Sequence, residues 1–205
     1  MSAPRTIDVS RLPSHAPGLR NALVWGALLA IAIESTMMAL MVVSFIYYRG
    51  NYQVWPPSGV GPASFRLAAW QMALLLVSLA PTALMNRAAV RERFRATRRA
   101  LVAATLVSIG IAALRALELP RIAFRWDQHA YGSAFWCTLG IHVTHLLSGV
   151  AEFLMLVALM YAGRRRFEKK HFSDVQAAGL LWYFVVVEWA IVYPVLYLMP
   201  LGAGR

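Results

Sequence analysis

Acidic side chains are scarce in this chain. Nine Asp and Glu stand against twenty Lys and Arg in 205 residues, and charged residues of both signs reach only 14%. A soluble domain carries nearer a quarter, so this composition does not supply an ordinary water-facing surface. Only one cysteine is present, Cys137. No internal disulfide can form, and Cys137, inside an apolar run, is expected to pack as a small hydrophobe. Alternation of apolar and polar residues is lacking, which excludes a membrane β-barrel. No internal repeat is evident, and no serine, histidine and acid form a nucleophilic set. Residues 1–20 contain three prolines and no apolar core. They read as a disordered tail rather than a cleaved leader.

What is present is hydrophobic length. Apolar residues make up 60% of the chain, and the mean hydropathy is +0.57. A bilayer core takes about 20 apolar residues of helix. Five such blocks occur, over 21–48, 65–85, 98–118, 132–162 and 175–199. The expected fold is all-α, a polytopic membrane protein with a five-helix domain over 21–205. The first and fourth blocks are longer than a span requires and should tilt or protrude.

The net charge of +11 invites a nucleic-acid reading. The basic residues, however, lie in short segments between apolar blocks, and no basic groove with interleaved aromatics is present. Arg5, Arg11, Arg20, Arg87, Arg91, Arg93, Arg95, Arg98, Arg99, Arg164, Arg165, Arg166, Lys169 and Lys170 all fall on one side. Arg49, Arg66, Arg121, Arg125 and Arg205 fall on the other. The positive-inside rule puts the N-terminus in the cytoplasm and the C-terminus outside. The arginine runs also suit a partner or anionic lipid. The outer loop NYQVWPPSGVGPASF is turn-rich and stiff. Trp55, Tyr47, Tyr48, Tyr52, Trp126 and Tyr131 are expected to form an aromatic belt at the outer interface.

A few polar groups fall at membrane depth, where they are costly unless they face protein or water. At about 100° per residue, His142, His145, Gly149 and Glu152 share a sector of the fourth span about 80° wide, with Ser148 at its edge. Glu34 lies near the middle of the first span and Glu188 near the middle of the fifth. Arg115 and Glu118, three residues apart near the outer end of the third, can pair along one face. A histidine at such a site serves as a hydrogen-bond hub more often than as a ligand. Glu152 suits either the stripe or a snorkelling position near the cytoplasmic end. His142 and His145 are neighbours on one helix and cannot approach one haem from opposite faces. A metal would need further carboxylates from other spans. A transporter or channel would show helices broken by Gly or Pro at mid-depth, whereas Pro81 and Pro194 fall near helix ends.

Several of these segments resemble a known family. Tyr131-Gly132-Ser133-Ala134-Phe135, then Gly140-Ile141-His142-Val143-Thr144-His145 and Gly149, is similar to the signature of subunit III of the haem-copper oxidases. That family shows Tyr-Gly-Ser, then Gly-Phe-His-Gly-x-His, with a glycine four residues on. Ile141, Val143 and Thr144 depart in side chain but not in spacing. Trp55-Pro56-Pro57 with Gly59 resembles the family's loop, and Glu34 with Thr36, Met37 and Met38 resembles its glutamate-bearing helix. Glu118 resembles a further family glutamate, and Trp182, Phe184, Val185 and Trp189 resemble the last helix. The resemblance covers 21–199 and fits the five-helix bacterial form that lacks the first two helices.

The resemblance implies a subunit without haem or copper of its own, in the bacterial inner membrane. Such a subunit packs on catalytic subunit I, with subunit II nearby. It binds structural phospholipid and supports proton entry and durability of a cytochrome c or quinol oxidase. It implies a buried polar and proton network of Glu34, His142, His145, Glu118, Glu188 and Glu152, with both histidines bonded across to Glu34 and its neighbours. The chain departs from the family at Tyr183 and Val186, where histidine and aspartate are usual. Glu188 projects about 200° from the lost acid, which leaves a last-helix proton role open. A divergent branch, such as an accessory protein of nitric oxide reductase, is the alternative.

Overall fold

The computed structural model describes residues 21–61, 63–162 and 167–200. The expected tail over 1–20 lies outside the described residues. Five helices follow in order: α1 Ala22–Asn51, α2 Phe65–Val90, α3 Phe94–Glu118, α4 Ala130–Tyr161 and α5 His171–Tyr193. A 3-10 turn, Leu119–Arg121, extends α3, and a π turn, Pro194–Leu198, extends α5. No strand occurs among the described residues. Each helix, with its extension, is long and apolar enough to cross a bilayer. The chain is an all-α, multi-pass membrane protein.

The helices outrun the apolar blocks at their basic ends. α2 continues to Val90, α3 begins at Phe94, and α5 begins at His171. Hydropathy reports only the hydrocarbon-depth part of a helix. The backbone bonds within itself wherever the chain goes, so arginine-bearing turns remain helical past the boundary. α1 has 30 residues and α4 has 32, a rise of about 45 Å against a core of about 30 Å.

α5 occupies the middle of the bundle, packed on α1, α2 and α4, while α3 packs on α2 and α4. Trp182, Val185, Trp189 and Val192 of α5 are fully enclosed. α1 contributes only Val24, Ala27, Met38 and Phe45 to the interior. Pro81, expected near a helix end, instead lies inside α2, nine residues before Val90, and removes one backbone donor. Beside it, Thr82 Oγ1 donates to the Ser78 carbonyl at 2.9 Å and Ser78 Oγ to Leu75 at 2.6 Å. Trp182 Nε1 then donates to Ser78 Oγ at 2.8 Å, tying α5 to α2.

The two ends of the bundle are built differently. At the basic end, Lys169 reaches Glu92 at 3.6 Å and Phe94 meets Phe167 edge-on. At the other end, Trp55 packs on Phe45 and Tyr131, and Phe124 packs on Tyr131 and Phe135. The aromatic belt is therefore corrected at two members. Trp55 and Tyr131 are buried, while Tyr47, Tyr48, Tyr52 and Trp126 stay exposed. The loop has no core of its own, so its largest side chain turns inward onto α1 and α4. Cys137 also departs from expectation. It is exposed on the outer surface of α4 rather than packed inside.

Candidate functional site

The start of α4 is positioned by its own loop. The His129 side chain caps the helix, with Nδ1 accepting from the Gly132 amide at 2.8 Å. Such a cap satisfies one of the orphan donors of the first turn. Ser133 Oγ donates to the Trp126 carbonyl at 2.6 Å. A β-carbon at position 132 would collide with the Arg125 carbonyl. The Tyr-Gly-Ser segment thus has a local job: an aromatic plug, a gap for the backbone and a tie to the loop.

Two turns further on, α4 presents its histidines to α5. His142 Nδ1 lies 3.1 Å from Glu188 Oε2, and His145 Nδ1 lies 2.8 Å from Glu188 Oε1. His145 Nε2 lies 3.3 Å from Glu34 Oε2 on α1. One carboxylate on α5 therefore gathers both imidazoles, and the second imidazole links three helices. The close approach of α4 and α5 needs Gly149, where a β-carbon would sit 2.9 Å from Trp182 Cε3.

The expectation that both histidines bond to Glu34 is corrected. Only His145 reaches it, and the hub is Glu188. The last helix recovers an acid at a position that helical geometry alone set aside, because α5 sits in the middle of the bundle and meets α1, α2 and α4 on different faces.

Glu118 belongs to a second cluster. Arg115 Nη1 donates to Glu118 Oε2 at 2.5 Å, and Tyr197 Oη donates to Glu118 Oε1 at 2.6 Å. All three side chains are buried. The Arg115 guanidinium stands 4.1 Å from the Trp189 ring centre, a cation–π contact. His142 stacks on the same indole at 4.6 Å with an interplanar angle of 27°. Trp189 therefore separates and joins the two clusters.

Glu152 stands apart from both. It is half-buried and makes no hydrogen bond among the described residues. It lines a crevice of about 80 Å³ with Glu34, His145, Ser148 and Gly149. That volume suits a few water molecules.

Chemically, the Glu188 cluster has more than one way to place its protons. A neutral imidazole has one N–H and one acceptor nitrogen. His145 faces carboxylates at both nitrogens, so it either donates twice as imidazolium or accepts from a protonated carboxyl. Exchange between these arrangements moves a proton and no heavy atom. The Arg115–Glu118 cluster offers no such choice, because arginine remains protonated.

The sequence model of the family described as cytochrome c oxidase subunit III matches residues 8–200. The chain belongs to that family. It is similar to cytochrome c oxidase subunit 3 of Artemia franciscana, at 30% identity over 199 residues, covering 93% of this chain and 76% of the relative. It is 26% identical over 191 residues to the Pelomedusa subrufa protein of that name, covering 89% and 72%. The Petromyzon marinus protein is 26% identical over 194 residues, covering 91% and 73%. For a subunit III chain, sequence reasoning missed the bridging place of Trp189, the Tyr197 bond and the His129 cap. An indole between two ionisable groups leaves no spacing signal when its neighbours come from α3 and α4. His129 carried the usual signal of an N-cap acceptor, a polar side chain just before the helix.

Proposed function

We propose that this chain is the non-catalytic subunit III of a bacterial respiratory terminal oxidase, using cytochrome c or quinol. Its N-terminus is cytoplasmic and its C-terminus periplasmic. Its partners are the catalytic subunit I and subunit II. Haem and copper reside on those partners, and this chain holds structural phospholipid only. Its contribution is to assembly, lipid binding and proton supply to the catalytic subunit. The observation that carries this reading is the family match across nearly the whole chain. The crevice leading from Glu152 to His145 and Glu34 supports the proton role, since protons reach buried carboxylates through water or titratable neighbours.

Affinity purification of the tagged chain from its native membrane tests the assignment. Subunits I and II should copurify with a haem–copper spectrum that belongs to them. A nitric oxide reductase pair in their place would move the chain to the accessory branch. Glu34→Ala or His142→Ala should lower assembly or durability through prolonged turnover more than initial rate. Normal assembly and full activity through long turnover would defeat the structural role of the cluster.

A further inference from the structure

At the basic end, α2 and α3 meet in a tight turn beside a cavity of about 590 Å³. Arg87, Arg91, Arg93 and Arg99 line its rim. None of the four makes an ion pair among the described residues. The acid of the turn is directed elsewhere. Glu92, with a left-handed φ of 50°, lies against Lys169 and lines a separate pocket with Phe94 and Phe167. The chain therefore reverses so that Arg91 and Arg93 share one cavity while the acid between them faces another.

Below the rim the wall is apolar, formed by Leu84, Ala100 and Ala103 among others. Leu84 lies six residues before the end of α2, about 9 Å deeper. Ala103 lies nine residues into α3, about 14 Å deeper. Both are exposed on the bundle surface, so the cavity runs from unpaired guanidinium groups toward hydrocarbon depth.

We propose that this cavity binds an anionic phospholipid, its phosphate held by the four arginines and an acyl chain laid along Leu84, Ala100 and Ala103. Guanidinium forks match phosphate oxygens in a bidentate manner. A zwitterionic headgroup would bring an ammonium into the same ring of positive charge. An acidic protein segment would answer the rim and leave the apolar wall unmatched. The proposal gives a location to the lipid binding proposed above, and it rests on that reading only for the premise that the chain holds lipid.

The full chain in detergent, titrated with phosphatidylglycerol or phosphatidylcholine and read by native mass spectrometry, tests the site. The wild type should retain phosphatidylglycerol about tenfold better than phosphatidylcholine, a difference of about 1.4 kcal/mol. Arg91→Gln with Arg99→Gln should erase that preference, and Arg95→Gln, outside the cavity, should keep it. Ala103→Trp should weaken phosphatidylglycerol with the rim intact, an effect that a site for the headgroup alone would not show. Unfolding temperatures near the wild type show that the variants are folded. Equal lipid retention by the double arginine variant would overturn the location. Absence of retained lipid in the wild type would overturn the lipid reading itself. Displacement of phosphatidylglycerol by inorganic phosphate at equal concentration would make this a free-anion site. Loss of a copurifying subunit with lipid retention unchanged would make it a protein-docking surface.

Discussion

The two buried polar clusters solve one problem in opposite ways. The Arg115–Glu118 pair is written on a single helix, three residues apart, and sealed by Tyr197. The Glu188 cluster is assembled from α1, α4 and α5, and its outer member, Glu34, remains partly exposed, with 39% of its side chain accessible. The first is closed and held by an arginine. The second is open at an edge and has more than one way to place its protons. The difference separates a pair set within one helix from a cluster shared by three.

The sharpest way to break this comparison is Glu118→Ala. It leaves the Arg115 charge buried without its partner, and loss of about 3–5 kcal/mol is expected, read as a lower unfolding temperature of the purified chain. Glu188→Ala comes next. It strips both imidazoles of their shared acceptor, at about 1–3 kcal/mol for each group left unsatisfied. Glu188→Gln should recover part of that stability, and equal loss in both variants would show that packing alone was measured. Gly149→Ala tests the joint between α4 and α5. Overpacking against Trp182 should cost about 1–3 kcal/mol and should disturb the His145–Glu188 contact without touching Arg115. Glu34→Gln keeps a hydrogen-bonding side chain at the open edge and should cost under about 1 kcal/mol, its effect appearing in prolonged turnover rather than unfolding.

The smallest effect lies outside the membrane. The Arg125 side chain bonded to Asp127 holds that carboxyl below the usual aspartate range. Its folded-state pKa is depressed, so the contribution is present above the unfolded value and is lost as pH falls through the folded one. The loop is exposed, so Asp127→Asn should scarcely shift the unfolding temperature at neutral pH and should flatten its fall in acid.

Much of this was legible in the sequence, and the limits have physical reasons. The five spans follow from hydrophobic length, and their ends do not, because helices carry on through the arginine-rich turns. The Arg115–Glu118 pair follows from i,i+3 spacing alone. The stripe of His142, His145 and Glu152 on α4 is likewise a matter of angle. Which acid meets which histidine depends on how α1 and α5 are rotated about their axes, and no local pattern reports that. Trp55 misled because an aromatic at the end of a span serves equally as an interfacial anchor and as the plug of a loop.

Trp189 carries a consequence for observation. One indole lies against an imidazole and a guanidinium at once, so its emission responds to electron-withdrawing neighbours on both faces. A difference spectrum against Trp189→Phe would isolate that response from the other tryptophans. Proton traffic at one cluster, or damage to the other, would then be visible as light from a single side chain.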